Sequence, residues 1–395
     1  MQAPPQRYRV NTSSFQHYWT KGAGIELLHK LGYTPVLEKA DQYIPLLFQT
    51  DESCDYLIKQ LHQHEGFKKG NEEVLRFLKE GQHYSGTYAH VLKSFFDSFE
   101  RRPDWVDDDL LHVGTELSRR PGISALIVLR DYCLMGGYES SAINKPLIYT
   151  GALKKGAVKR LTDTVTFWVN ITRAGAFDAD GKGFQNVILT RIIHSFSRVN
   201  ILRSTDWNAD KWGMPVNTWD LLATNLGFSL VFIVGLRRMG YAPTAHEVKG
   251  LFHFWKYVGY LIGIPTDLLP DTEEQAIEAL YYWTMTQADG DEDSKALAMT
   301  LKEEPVKAFF PPSRTGRRMM KEIHLYYNNF LLGNYSCKLL GLRNTIFGKI
   351  AYLNILKNKR EEKKIYLPGY REQMIRKGGE EQDKVKQIYL KYNNG

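Results

Sequence analysis

The chain has 395 residues, of which 43% are hydrophobic and 13% aromatic, so it can bury a large core and is expected to be globular. Its formal net charge of +8 is modest for this length, and its three widely spaced cysteines exclude a disulfide framework and favour a reducing compartment. The sequence contains no Walker loop, nucleophile elbow, zinc-spaced cysteine pairs or dinucleotide fingerprint, which argues against nucleotide-driven and serine-hydrolase chemistry.

The N-terminal region carries short helical patterns. A first helix is predicted over about 25–31, and two amphipathic helices are predicted over 56–64 and 72–78. We expect residues 1–109 to form a helical extension that packs on a larger core. The first residues have no apolar signal core, so the sequence predicts a cytoplasmic protein.

The central region carries the longest helical patterns, and alternating strand patterns are scarce. The longest apolar run, 221–236, is interrupted by polar residues and is short for a membrane span, so it fits a buried core helix. We therefore predict an all-α core over 110–345. Its main helices are expected at about 153–173, 184–203, 217–239, 244–263, 272–287 and 317–337.

The C-terminal region is rich in charge. Residues 346–395 are predicted to form a solvated, charged helical tail with a final helix near 382–390. The basic stretches at 314–321 and from Lys357 onward would suit an anionic membrane or a nucleic acid, although a solvated face is more typical of such runs. We expect no nucleic-acid partner, keep peripheral membrane contact as one option, and predict no particular oligomeric state.

His194 is the most informative residue of the chain. It lies in an apolar helical pattern, and Arg191 and Arg198 fall on the same face at helical spacing. The spacing alone is most typical of a basic helix face with an incidental histidine. A neutral imidazole between two guanidiniums would also suit a haem, whose iron accepts a histidine nitrogen and whose propionates pair with arginine.

Four segments of the central region follow one another in a recognisable order: KRLTDT at 159–164, TRIIHSFSR at 190–198, GMPVNTWD at 213–220 and FWKYVGYLIGIP at 254–265. Together they resemble one large oxygenase family, which contains the latex-clearing rubber oxygenases and a fungal enzyme of mycophenolic acid biosynthesis. The resemblance covers roughly residues 110–343.

This resemblance implies a globin-like helical core that binds a b-type haem, with extra helices at both ends of the chain. It makes His194 the axial ligand of the haem iron, and Arg191 and Arg198 either propionate partners or residues that support the ligand. It places Arg160 and Thr164 on the distal side, where a guanidinium and a hydroxyl would steer bound oxygen. A competing interpretation is that Asp163 and Thr164 merely satisfy backbone donors in the first turn of a helix.

Two positions depart from the family pattern. Asp163 stands where the rubber oxygenases have a lysine, and we consider two roles for it: a base or proton relay, if burial raises its pKa, or an ion-pair partner of Arg160. The rubber oxygenases also use a glutamate from a preceding helical region. Glu139 is the nearest candidate for it, although the gap between Glu139 and Arg160 does not match well.

The resulting hypothesis is a haem-dependent oxygenase that acts with O2 on a hydrophobic, unsaturated substrate such as an isoprenoid or another lipid. The resemblance implies addition of dioxygen across a carbon–carbon double bond, giving carbonyl products. The alternatives are a non-catalytic helical haem or lipid carrier or sensor, and a helical protein without a cofactor. The substrate pocket is expected around Phe167, Trp168, Phe228 and Phe232.

Overall fold

The computed structural model describes residues 3–9, 13–99, 101–178, 181–345 and 349–393. These residues are mainly helical and no β-strand occurs among them; a single isolated bridge joins Ser140 and Asp289. The prediction of an all-α fold is therefore confirmed.

Twenty α-helices account for most of the described residues. Those of the first part of the chain are α1 (Ser13–Lys21), α2 (Gly24–Leu31), α3 (Glu52–Glu80), α4 (Ala89–Asp97), α5 (Asp108–Arg119), α6 (Ile123–Val128), α7 (Met135–Gly137), α8 (Ser141–Tyr149), α9 (Ala152–Lys155) and α10 (Ala157–Ile171). Those of the second part are α11 (Lys182–Ser204), α12 (Ala209–Trp212), α13 (Thr218–Leu226), α14 (Phe232–Arg238), α15 (Ala245–Ile262), α16 (Glu273–Met285), α17 (Glu292–Lys307), α18 (Arg314–Leu339), α19 (Lys349–Glu362) and α20 (Tyr370–Asn393).

Shorter helical segments connect them. Three are 3₁₀ helices, at Leu37–Leu47, Gly81–His83 and Thr266–Leu268, and two are π-helical, at Leu129–Leu134 and Gly227–Val231. The two π segments pack against each other, and π-helical turns are frequent at functional sites.

The six predicted core helices are all present, as α10, α11, the continuous segment from α13 to α14, α15, α16 and α18. The first begins at Ala157 rather than near 153, because Gly156 has a φ of 77° and separates α9 from α10. The two predicted N-terminal helices are also confirmed, since α3 is interrupted at Gly66, where φ is 74°.

The centre of the fold is the contact between α5 and α15. A Cβ atom at Gly114 would lie 2.5 Å from the carbonyl oxygen of Gly250, and a Cβ at Gly250 would lie 2.6 Å from Cγ1 of Val113. Such distances are too short for any side chain, so these two glycines allow the helices to approach closely.

The segment Thr218–Arg238 is 21 residues long with a mean hydropathy of 1.6, so by length and composition it is apolar enough to cross a membrane. In the protein, however, 78% of its apolar window is buried against other helices. This agrees with the interpretation of the longest apolar run as a core helix.

The N-terminal segment is tied to the core by buried polar contacts. Arg7 is buried, and its guanidinium binds both carboxylate oxygens of Asp220 at 2.7 Å. Trp19, on α1, donates a hydrogen bond of 2.8 Å from Nε1 to Oγ1 of Thr284. These contacts place α1 and α2 directly on the core.

The expectation of a solvated C-terminal tail is wrong. Ile355, Asn358 and Ile375 are buried, and Gln382 is fully buried, where it donates to the carbonyl oxygen of Ser118 at 2.9 Å. The many charges suggested a solvated segment, but some of them pair in the interior: Glu362 binds the buried guanidinium of Arg120.

Candidate functional site

A large internal cavity of about 1640 Å³ lies among α1, α8, α10, α11, α15, α18 and the two π segments. Sites for a single small ligand usually measure roughly 300–1000 Å³. This cavity can therefore hold a bulky cofactor and a substrate at the same time.

His194 lies in the wall of this cavity, near the middle of α11. Its Nδ1 atom is buried and has no hydrogen-bond partner among the residues that the structure describes. Burial, and to a smaller extent the nearby positive charge of Arg198, lower the pKa of His194 to about 4. The imidazole is consequently neutral near pH 7, which is the form that binds a metal ion.

Arg191 and Arg198 do not line the cavity. Arg191 forms an ion pair with Asp51, in which the two nitrogen–oxygen distances are 2.5 and 2.8 Å, and its guanidinium lies over the rings of Phe95 and Phe99. The side chain of Arg198 is 1% exposed and binds Asp55 through Nε and Nη2 at 2.8–3.0 Å. Both guanidiniums are therefore held by aspartates at the start of α3 rather than presented to the cavity.

Arg160 and Thr164, which the family resemblance placed on the distal side of a haem, line the cavity together from α10. The Arg160 guanidinium lies 5.1 Å from the ring centre of Tyr138 and donates a hydrogen bond to its hydroxyl. The Thr164 hydroxyl donates to the carbonyl oxygen of Arg160 at 2.9 Å. Because this contact is to a carbonyl one turn earlier, the interpretation of Thr164 as a helix cap is wrong.

Asp163 lines the cavity but does not have either of the environments considered for it. Its side chain is 62% exposed, so the burial that a base with a raised pKa requires is absent. Its ion-pair partner is Lys159, at 3.2 Å, and not Arg160. The physical reason is that the Arg160 guanidinium is engaged by Tyr138, which leaves Lys159, one helical turn before Asp163, as the partner.

Glu139 has the buried environment that a base with a raised pKa requires and that Asp163 lacks. It lines the cavity immediately after α7, is 5% exposed, and accepts a hydrogen bond of 2.9 Å at Oε2 from the Ser336 hydroxyl. Burial raises its pKa to about 8, and the Ser336 hydrogen bond opposes that rise in part. The sequence indicated Glu139 only through the resemblance to the rubber oxygenases. The amino-acid sequence alone does not show that Ser336 contacts Glu139.

The apolar side of the cavity is built around a stacked aromatic pair. The rings of Phe228 and Trp255 lie 4.9 Å apart at an angle of 13°, and both residues line the cavity, together with Phe167. Trp168 and Phe232, also predicted for the pocket, are fully buried behind it instead.

Several cations in the cavity wall were not predicted as site residues. Lys21 comes from α1, Lys155 from α9 and Arg238 from the end of α14. These residues are far apart in the sequence, so no motif indicated them. In the cavity their positive charges could pair with a bulky anionic ligand.

These features describe an all-α protein with a neutral histidine and a buried carboxyl on a large, mainly apolar cavity. Residues 124–354 match the family model described as ER-bound oxygenase mpaB/B'/Rubber oxygenase, catalytic domain. The match spans more than half of the chain, and the protein therefore belongs to this family, whose members are haem-dependent oxygenases.

A structural comparison agrees with this assignment. The fold is similar to the solved structure of the latex clearing protein LCP in its closed state, with a TM-score of 0.60 over 85% of this chain and 91% of that one. The two sequences are 17% identical, so the similarity establishes the fold alone. No curated protein matches the sequence.

Proposed function

We propose that the protein is a b-type haem-dependent oxygenase that uses O2 to oxidise a hydrophobic, unsaturated substrate. The observation that carries this proposal is the neutral, unpaired imidazole of His194 on a cavity large enough for a haem and a substrate. The membership in an oxygenase family adds the reaction class.

The residues of the cavity fit a haem in three respects. The His194 imidazole would bind the iron, and the orphaned Nδ1 would gain a role once the ring is fixed by ligation. The apolar wall around Phe228 and Trp255 suits the macrocycle or the substrate. Lys155, which is exposed at the cavity, would pair with a propionate in place of Arg191 and Arg198.

When bound, the haem would supply the iron at which O2 is activated. The chain itself would supply polar groups to the reacting centre from the α10 wall of the cavity. Arg160, fixed by Tyr138, would place a positive charge in the cavity that stabilises negative charge developing on the substrate or on oxygen. Thr164, one turn along α10, would add a hydroxyl oxygen as a hydrogen-bond acceptor on the same wall.

Glu139 would hold a proton for the reaction. With a pKa of about 8 it is mostly protonated at neutral pH, and a group near the working pH can both give and take a proton. Its Oε2 is occupied by the Ser336 hydroxyl, so Oε1 is the atom that would exchange the proton. We assign the proton-transfer role to Glu139 rather than to Asp163.

The substrate would bind along the apolar wall and exclude water from the cavity. Phe167, Phe228, Val258 and Ile262 line this wall, which favours an isoprenoid or another lipid-like chain. Cleavage of a carbon–carbon double bond to carbonyl products is the finer reaction that we propose by family membership.

The test is a comparison of visible absorption spectra after haem reconstitution. The cavity also contains His17, which stacks on Tyr335 with ring centres 4.5 Å apart and serves as a matched control. We expect the Soret band of the wild-type protein to shift or disappear in His194→Ala and to persist in His17→Ala. A colourless wild-type protein, or an unchanged Soret band in His194→Ala, would remove the basis of the proposal.

A non-catalytic haem or lipid carrier is the second candidate, and the replacement of the family's lysine by Asp163 favours it. Oxygen uptake separates the two candidates. With unsaturated lipids present, an oxygenase consumes O2 in step with product, whereas a carrier shows only slow autoxidation of its haem.

A further inference from the structure

Exposed apolar side chains are concentrated on one short stretch of the surface. Among the described residues, five of the large hydrophobic side chains that face solvent fall within residues 352–367. They are Tyr352, Leu353, Leu356, Tyr366 and Leu367, and Tyr366 is 78% exposed. Single exposed hydrophobic residues are ordinary, but a cluster of this kind marks an interaction surface.

The same stretch carries a dense set of exposed cations. These are Lys357, Lys359, Arg360, Lys363 and Lys364. The two acidic residues among them offset only one of these charges: Glu362 is buried with Arg120, and Glu361 pairs with Lys364 and accepts a hydrogen bond from the Tyr370 hydroxyl. We call the outer face of α19 and the following turn, residues 352–367, the basic–apolar patch.

The patch is held in place by the opposite face of the same helix. Asn358 is buried and donates to the carbonyl oxygen of Met239 at 2.9 Å, and Asn354 donates to the hydroxyl of Tyr327 at 3.1 Å. Ile355 is buried between them. With its inner face fixed on the core, α19 presents Leu353, Leu356 and Arg360 outward, around a shallow groove of about 590 Å³.

We propose that the basic–apolar patch docks on the surface of an anionic lipid bilayer. Cations attract anionic headgroups, while leucine and tyrosine side chains insert at the boundary between headgroups and acyl chains. The patch contains both elements, and the charge selects an anionic surface over a neutral one.

Charge and composition favour a bilayer over the two other occupants. A nucleic acid would use the cations, but Leu353, Leu356 and Leu367 offer nothing to a phosphate or a base edge. A second copy of the same patch would bring five cations against five. The proposed contact with the bilayer is peripheral rather than membrane-spanning, because the inner face of α19 already packs on the protein core.

The first test is cosedimentation of the full chain with vesicles of phosphatidylcholine, with and without phosphatidylserine. The variant is Lys357→Gln/Arg360→Gln/Lys363→Gln, and the matched control is Lys39→Gln/Lys79→Gln/Arg203→Gln, which removes three exposed cations elsewhere. One cation near an anionic surface contributes roughly five-fold in binding, so the patch variant is expected to bind roughly 100-fold more weakly. The control is expected to stay within roughly three-fold of wild type, because its cations do not meet the surface together.

The second test isolates the apolar contribution. Leu353→Ser/Leu367→Ser keeps all charges and is expected to make binding easily reversed by salt, whereas Val36→Ser/Leu202→Ser, which also alters two exposed side chains, is expected to bind as wild type does. Both variants change exposed positions, and circular dichroism verifies that the helical content is retained.

Three results would overturn the proposal. They are equal binding to neutral and anionic vesicles, a patch variant that binds as tightly as its control, and patch-dependent binding to duplex DNA or to a second copy without binding to vesicles. None of these measurements depends on haem. A failure of the docking proposal would therefore leave the proposed oxygenase function untouched, and the reverse also holds.

Discussion

Ser336 donates a hydrogen bond of 2.9 Å to Oε2 of Glu139, which joins the second part of α18 to the wall of the cavity. The carboxyl is 5% exposed and has a pKa of about 8, because burial outweighs this hydrogen bond. The two residues are 197 positions apart, so the environment of Glu139 depends on how α18 packs against α7.

Glu139 should make the free energy of unfolding depend on pH. Its pKa is raised in the folded protein from 4.5 to about 8, so the folded state binds the proton more tightly. The resulting stabilisation is fully present below pH 4.5 and is lost as pH rises through about 8. We expect denaturant melts of the wild type to lose on the order of a few kcal/mol over this window, relative to Glu139→Gln. Parallel pH profiles of the two proteins would contradict the assignment.

Activity should separate the two carboxyl groups of the site. Glu139→Gln is expected to lower turnover by roughly 10²–10⁴-fold with an unchanged Soret band, because it removes the proton but not the shape of the side chain. Asp163→Asn is expected to keep turnover within about three-fold, because Asp163 is exposed and pairs only with Lys159. Oxygen-uptake rates of the two haem-loaded variants are compared; a greater loss in Asp163→Asn would reverse the two roles.

Arg160 should affect turnover and not haem retention. Arg160→Gln removes the charge that the Tyr138 hydroxyl orients in the cavity, and loss of such an electrostatic group typically costs roughly 10²–10³-fold in rate. Lys159→Gln, one residue away on the exposed side, is the control and is expected to retain most of the rate. Haem stoichiometry from the Soret absorbance must remain equal in both variants for this interpretation to hold.

The sequence predicted the long helices well, because their apolar faces repeat at helical spacing over many residues. It did not predict α17, whose start depends on the Asp291 carboxylate accepting from the backbone N–H of Ser294. His194, Arg160 and Thr164, which the family resemblance singled out, line one cavity, while their roles at a haem stay predictions.

What the sequence could not provide is the pairing of charges between distant segments. Arg191 and Asp51 are 140 positions apart, and only the packing of α3 on α11 brings them together. Both arginines were predicted as neighbours of a cofactor because their aspartate partners could not be seen. The same limitation made the C-terminal helices look solvated, since the contact of Glu362 with Arg120 spans 242 positions.

The close contact between α5 and α15 should be sensitive to a single methyl group. Gly250→Ala would place a Cβ 2.6 Å from Cγ1 of Val113, so one helix must move, at an expected cost of roughly 1–3 kcal/mol. Gly227→Ala is the control, since a Cβ there meets nothing within 4 Å. The midpoints of thermal unfolding of the two apo-proteins are compared with that of the wild type. Equal destabilisation by the two substitutions would show that the contact between α5 and α15 tolerates a methyl group.

Arg198 should control both stability and the protonation of His194. Arg198→Met leaves the Asp55 carboxylate without its buried partner, for which we expect a loss of about 3–5 kcal/mol in the free energy of unfolding. Lys159→Met breaks an exposed pair and is expected to cost less than about 1 kcal/mol.

The same substitution should raise the pKa of His194, because the positive charge of Arg198 helps to hold it near 4. A histidine whose pKa is lowered on folding from 6.5 contributes stability that is present above pH 6.5 and is lost as pH falls through about 4. Protonation also competes with binding of the iron, so acid should release haem at a higher pH from Arg198→Met than from the wild type. Soret absorbance recorded against pH gives, for the variant and for the wild type, the pH at which half of the haem is released. Equal midpoints in a variant that remains folded would mean that Arg198 acts on the stability of α11 alone.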